Sequence, residues 1–393
     1  MKKEIVLAGA VRTPIGKYGG ALADIPAAKL GEIVMREALT RAGVPAGEVD
    51  EVLFGCVIQA AQGQNIARQS AIGAGIPVEA PAMTINDVCG SGLKVVNMAA
   101  AEICAGNAEV ILVGGTENMS RVPYALENAR FGYRMGNAEM PDLLLKDALH
   151  DAFEGYHMGI TAEILAERYN ISREAQDEFA AQSQIKCEAA RKAGKFQEEI
   201  VPVPIRVKKE TVLFDTDEYP RDGVTAESLA SMRPAFKKDG TVTAANASGI
   251  NDGAAAVVVM SAEAAERLGL SPMARFIGGT WAGVEPEIMG IGPVSSTKRL
   301  LEKTGLTIAD LDLIEANEAF AVQALAVGTD LAWDPERVNV NGGAIALGHP
   351  VGASGCRILV TLLHELKRRG GGRGLATLCA GGGMGVSTII EAI

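Results

Sequence analysis

Two short segments, Asp87-Val88-Cys89-Gly90-Ser91-Gly92 and Cys379-Ala380-Gly381-Gly382-Gly383, each set a cysteine where an apolar run meets a glycine cluster. Glycine lets the backbone turn sharply and approach a ligand closely, because no Cβ intervenes. A thiol held at such a point can be reached and polarised by a substrate. The bland alternative is packing, since free cysteine behaves as a small buried hydrophobe. His349, one of four histidines (150, 157, 349 and 364), lies in the turn-rich run Asn341-Gly342-Gly343-Ala344-Ile345-Ala346-Leu347-Gly348-His349-Pro350. Asn317 closes the apolar stretch from Leu313 to Ala316, where an amide can orient a water or an oxyanion, or cap a turn. Cys89 precedes an apolar helical stretch from Leu93, and a helix N-terminus carries roughly half a positive charge, which favours thiolate. A nucleophilic cysteine with a histidine base is the chemistry this set permits. Cys379 would be a second acid or base, and the glycines after it offer N–H groups to an oxyanion.

Other chemistries lack their signals. No HExxH or CxxC points to zinc or thiol redox work, and no GxxxxGK[ST] points to a phosphate loop. GxSxG and a complete GxGxxG are also missing, so neither a serine hydrolase elbow nor a dinucleotide site is supported.

The elements that must position these residues repeat. Gly43-Val44-Pro45-Ala46-Gly47-Glu48-Val49-Asp50 resembles Gly305-Leu306-Thr307-Ile308-Ala309-Asp310-Leu311-Asp312, an offset of 262, and Ser91-Gly92 matches Ser354-Gly355 at 263. Helical runs precede the first pair (Leu30 to Ala42; Thr297 to Thr304) and follow the second (Leu93 to Ala105; Cys356 to Arg368). Apolar strands come next in both halves, Val110 to Gly115 and Leu375 to Leu378. The duplication therefore predicts that two helix N-termini, with Cys89 and His349 just ahead of them, share one site. Alternating strands and helices predict βαβ crossovers and mostly parallel sheets. A long insertion, about Met119 to Ser248, separates the first half from its last strand, Ala254 to Val259. It carries an amphipathic run from Ile160 to Tyr169, a helix from Arg173 to Ala193 capped by Ser172, and a basic run from Arg206 to Lys209 read as a solvated strand face. The expected fold class is α/β, two duplicated halves with an inserted lobe.

Bulk properties fit that reading. The chain has 393 residues, 48% of them hydrophobic, 4% aromatic, and a net charge of −11. Such size calls for two or three domains, and the acidic balance argues against nucleic-acid partners. Six cysteines without CxxC spacing suit a reducing, cytoplasmic setting. No apolar stretch is expected to reach the roughly 18 residues a membrane span needs.

With these residues laid out, the chain resembles the thiolase family over essentially its whole length, and most closely its biosynthetic branch. The carriers are NDVCGSG around Cys89, NEAF with Asn317, GGAIALGHPVGASG with His349, and CAGGGMG with Cys379. The resemblance implies a five-layered fold of two βαβαβαββ halves, spanning residues 1–118 plus 249–270 and 271–393, with a loop domain at 119–248. It implies acetyl transfer between two acetyl-CoA molecules, giving acetoacetyl-CoA and free CoA with no resident cofactor or metal. Cys89 would carry the acetyl group, and His349 with Asn317 would activate it and bind the thioester oxygen. Cys379 would move the α-proton from a lowered pKa, and the Cys89 and Gly381 amides would form an oxyanion hole. Coenzyme A contacts implied are Leu149, His157, Met158, Arg221, Ser228, Phe236, Ala244, Ser248, Ala319 and Phe320, with Met289 walling the acyl pocket. The resemblance also implies a homotetramer, joined through the first-half sheet and the loop Arg121 to Gly136, whose aromatic and arginine mixture is interface-like. Weighed beside it are a broader-chain 3-ketoacyl-CoA thiolase, a related condensing enzyme, a non-catalytic acyl-CoA-binding relative and a thiol redox protein. Cys379 speaks against the second, the intact motifs against the third, and the missing CxxC against the last.

Overall fold

The computed structural model describes residues 3–393. The chain opens with β1 (Ile5–Arg12), a short β2 (Gly16–Lys17) and α1 (Ala27–Ala42), which Gly43 ends in a left-handed conformation. Next come β3 (Glu51–Gly55), α2 (Ile66–Ala74), β4 (Ala82–Ile85), α3 (Ser91–Ala105) and β5 (Val110–Asn118). The inserted lobe holds α4 (Met158–Tyr169), α5 (Arg173–Lys192), the exposed hairpin β6 (Val203–Val207) and β7 (Glu210–Phe214), and α6 (Ala226–Ala230). Ser172 caps α5 by accepting the Ala175 N–H at 3.3 Å. The first half then closes with β8 (Asn251–Ser261) and α7 (Ala262–Arg267). The second half runs β9 (Ala274–Gly283), α8 (Gly292–Thr304), β10 (Leu313–Ala316), α9 (Ala321–Leu331), α10 (Ala344–Leu347), α11 (Val351–Arg368), β11 (Gly372–Ala380) and β12 (Met384–Ala392).

The strands follow the order β10-β11-β12-β9-β1-β8-β5-β3-β4, with β2 added to β8. The duplication is written in that order. Numbered within its own half, the first reads 3-2-4-5-1 from β4 to β1. The second reads the same from β10 to β9, its third strand reduced to the parallel bridge between Ile314 and Val338. A short antiparallel contact, Val6 to Arg275 and Leu7 to Ala274, joins the halves.

The expected predominance of parallel pairs is not found. Only β3–β4, β3–β5 and β10–β11 run parallel, while β5–β8, β1–β8, β11–β12, β9–β12 and β1–β9 are antiparallel. In the second half the reason lies in the last connection. Gly381–Gly383 turn β11 directly into β12, and so short a link can join only antiparallel neighbours, because parallel ones need a crossover.

Helices α1 and α2 cover the outer face of the first sheet around Val34, Met35, Phe54 and Val258. Helix α8 covers the second around Leu300, Ile314 and Ile389. Between the sheets lie α3 and α11, packed on each other and on strands of both halves. The central position of α3 explains one more departure. Val88–Ala105 forms an 18-residue window with mean hydropathy 1.2, long and apolar enough for a membrane span, although none was expected. Its apolarity serves the layer between two sheets, where Leu93, Val95, Val96, Ala99 and Ile103 are buried.

Helices α3 and α11 meet at glycines. A Cβ on Gly92 would lie 2.8 Å from the Cys356 nitrogen, and one on Gly355 would lie 2.3 Å from the Leu93 nitrogen. Backbone thus touches backbone at the repeated Ser-Gly pairs, and the two helix N-termini converge.

Candidate active site

A largely apolar cavity of about 480 Å³ opens where those N-termini meet. Cys89, His349, Gly381, Leu149, His157, Met158, Phe236, Ala244, Ser248, Met289, Ala319 and Phe320 all line it. Each side chain is fixed by its local sequence. The Cys89 loop is tied by Ser91, whose hydroxyl donates to the Val88 carbonyl at 2.6 Å and accepts the Asp87 N–H at 2.8 Å. Val88 itself has φ +50°, a left-handed conformation unusual for a β-branched residue. It sits in the cavity wall beside Gly381, on which a Cβ would lie 3.3 Å from the Val88 Cγ1.

His349 follows Gly348, whose φ of +106° and closeness to Asn251 admit no side chain. Its own N–H donates to Asn251 Oδ1 at 2.9 Å. On the ring, Nδ1 lies 2.6 Å from Ser354 Oγ, whose proton goes to the Pro350 carbonyl at 2.9 Å. Oγ therefore accepts from Nδ1–H, and the Nε2 lone pair is left free as a base. Asn317 Nδ2 stands 3.5 Å from that Nε2, and Asn317 Oδ1 is buried with no partner. The asparagine is held from both sides. Its N–H donates to the Thr377 carbonyl at 3.0 Å, and Asn339 brackets the adjoining Ala316 with bonds of 2.9 and 2.7 Å. Glu318 anchors the same corner, accepting from Ser183 Oγ, Asn339 Nδ2 and the Ile345 N–H.

Electrostatics oppose the resting ion pair that the helix N-terminus suggests. Burial pushes the Cys89 thiol up to about 11, against the pull of the Gly381 and Cys89 backbone N–H groups that face its sulfur. Some of Cys89 remains accessible through the cavity, yet protein surrounds it densely enough for burial to win. Burial, then the charge of Arg357, lowers His349 to about 3, so its ring is neutral. Cys379 is fully buried among Met158, Met289 and Phe320, just behind the cavity wall, and burial raises its pKa too. The lowered value expected for that thiol is thus reversed, because the loss of water and the neighbouring Cys89 outweigh the one backbone N–H that favours the thiolate.

The mouth is less fully assembled. His157 accepts the Gly159 N–H on Nδ1 at 3.0 Å and stacks on Phe236 with ring centres 4.5 Å apart. Burial and His150 lower it to about 4, so it meets a ligand as a neutral ring. Arg221 lies outside the main cavity, on a small neighbouring one that shares Tyr219 and Ala244. Ser228 is exposed, and its hydroxyl is engaged in capping α6. Lys17, Tyr18 and Tyr219 also line the cavity, and nothing local in the sequence singles them out.

Comparison with known proteins decides the lineage. The thiolase N-terminal domain model matches residues 5–263, and the thiolase C-terminal domain model matches residues 270–392. The chain belongs to the thiolase family. This thiolase is 59% identical to an acetyl-CoA acetyltransferase of Cupriavidus necator over 389 residues, 99% of each chain. It is 58% identical to that of Pseudomonas aeruginosa over 386 residues, 98% of each. The crystal structure of the Bacillus anthracis acetyl-CoA acetyltransferase superposes with a TM-score of 0.98 at 47% identity, covering 100% of this chain and 99% of that one.

Proposed function

We propose that this thiolase is an acetyl-CoA C-acetyltransferase, joining two acetyl-CoA molecules into acetoacetyl-CoA and CoA, reversibly. The observation that carries the reading is the convergence of Cys89, a neutral His349 with a free Nε2 lone pair, and the Gly381 amide on one apolar cavity, with Cys379 behind its wall. In the first step His349 Nε2 takes the Cys89 proton as sulfur attacks the acetyl carbonyl, and that proton leaves on the CoA thiol. In the second, Cys379 first gives its proton to the neutral His349 ring and, as thiolate, removes the α-proton of a new acetyl-CoA. The carbanion attacks acetyl-Cys89, releasing acetoacetyl-CoA and the Cys89 thiolate, which takes the proton back from His349. Donors near Asn317 and at Gly381 meet the oxyanions in a water-poor site, where fixed dipoles act strongly. Acetyl-CoA in one turnover should add one acetyl group at Cys89, read by peptide mass spectrometry. Acetylation elsewhere, or none, rejects the reading. Thiolysis rates across 3-ketoacyl-CoA chain lengths would separate it from a broader-chain thiolase.

We extend the proposal to setting and assembly. Six free cysteines support a reducing, cytoplasmic location. Two exposed apolar regions support a homotetramer built from dimers. One is the open edge of the sheet at β4, with Met83, Val78 and Ile72 exposed, and the other is the loop with Phe131 (93% exposed) and Met135. Light scattering should give the mass of four chains, and trimming the loop tip that of two. A monomer in either case rejects this assembly.

A further inference from the structure

Glu117, the penultimate residue of β5, has no accessible surface and no cation within ion-pair distance among the described residues, and burial raises its carboxyl to about 7 against the pull of the backbone N–H groups around it. Every acceptor position on it is used. Oε2 accepts the Val57 N–H at 2.9 Å and the Gly352 N–H at 3.0 Å. Oε1 accepts the Ile58 N–H at 3.2 Å and faces the Cys56 thiol at 3.6 Å. A buried carboxyl answered by three N–H dipoles and a thiol, with no cation, is a costly placement, and three segments far apart in sequence are bound by it. These are the end of β5, the Cys56–Ile58 turn after β3, and the first turn of α11. The last is the telling partner. Gly352 stands three residues after His349, and its N–H is one of the unpaired donors that begin a helix. A Cβ on Gly352 would lie 2.6 Å from Glu117 Oε2, so the helix start is pressed directly against the carboxylate. The turn on the other side packs, through Val57 and Ile58, with Met119, Ala148, Val351 and Cys89 itself.

Resting on the acetyl-transfer reading above, we propose that Glu117 is a positioning residue. Its carboxylate clamps the Cys56–Ile58 turn to the first turn of α11, and so holds His349 in register with Cys89. Glu117→Gln, compared at about pH 8.5 where Glu117 is ionised, tests this with nearly the same shape. One oxygen becomes an NH2 group facing two donors, so half the clamp turns repulsive. Displacement of a base by the order of an ångström costs up to about a hundredfold in rate. Single-turnover acetylation of Cys89 by acetyl-CoA should therefore fall roughly 10- to 100-fold, with KM for acetyl-CoA within about twofold. Binding of desulfo-CoA needs the cavity but no aligned histidine, and should hold within about twofold. Acetylation within twofold of the unchanged protein overturns the proposal, as does a matching loss of desulfo-CoA binding and acetylation, which marks general loosening. Should Glu117→Gln fail to fold, Glu117→Asp keeps the charge and withdraws it by one methylene. The same selective loss is expected there, and an unimpaired Glu117→Asp overturns the clamp. If the unaltered protein is itself not acetylated on Cys89, the functional reading fails first.

Discussion

Replacing Ser354 by alanine removes one oxygen, and the structure says what that oxygen does. It accepts the His349 Nδ1 proton at 2.6 Å while its own proton is committed to the Pro350 carbonyl. Without it the ring has two choices. It can keep Nδ1–H and bury an unpaired donor, or move the proton to Nε2, where the unpartnered Asn317 Oδ1 is the nearby acceptor once the amide turns over. The second choice destroys the base. A buried unsatisfied donor costs about 1–3 kcal/mol, so restoring the productive tautomer raises the acetylation barrier by that amount, roughly 5- to 150-fold in rate. The assay is rapid-quench acetylation of Cys89 by acetyl-CoA, with binding of desulfo-CoA as a control. Affinity should hold, because Ser354 is buried away from the cavity. Nitrogen chemical shifts of the single His349 ring should report the proton moving from Nδ1 toward Nε2. An acetylation rate within twofold of the unchanged protein, with the tautomer retained, refutes the reasoning.

Cys379→Ala should still accept acetyl on Cys89 yet lose condensation by at least about a hundredfold, the usual scale for one acid–base group; near-normal condensation would make Cys379 structural. Val88→Gly removes a β-branched side chain from a left-handed conformation that stores about 1–3 kcal/mol, and also opens the cavity wall. It should leave the melting temperature unchanged or higher and raise thiolysis of 3-ketohexanoyl-CoA relative to acetoacetyl-CoA; a falling melting temperature with an unchanged ratio contradicts both points. His349 is held at about 3, below its unfolded value of about 6.5, so between those values the unfolded chain binds more protons and stability rises with pH. Urea melts of His349→Asn from pH 5 to 6.5 should therefore show a shallower rise than the unchanged protein, and identical slopes would show that His349 is not buried neutral.

The halves were legible because a duplication leaves two copies of each signal, and Ser91-Gly92 against Ser354-Gly355 marks the place where α3 and α11 touch. Strand direction was not legible. An apolar run such as Ala254 to Val259 reads alike in either direction, and only the tight Gly381–Gly383 link, seen with its neighbours, forces β12 to return antiparallel. His349 announced itself between glycine and proline, and Asn317 as an amide closing an apolar strand. Glu117 did not, because one acid in Gly-Gly-Thr-Glu-Asn carries no local sign that three distant N–H groups will close on it.

Cys89 shows which effect governs the site. A helix N-terminus stabilises a nearby anion by about 0.3–1 kcal/mol, up to ~2 kcal/mol when partly buried. Full desolvation of a thiolate raises its pKa by as much as about 3–5 units, or about 4–7 kcal/mol. Burial wins, and the thiol rests protonated at about 11 beside a histidine at about 3. The nucleophile is therefore made during attack, as sulfur charge passes onto the substrate carbonyl and the proton onto Nε2. Such concerted transfer depends steeply on the distance and direction between two side chains on separate halves of the molecule. That dependence explains why fixed partners crowd around His349: Asn251 on its backbone, Ser354 on its ring, and Glu117 on the helix that follows it.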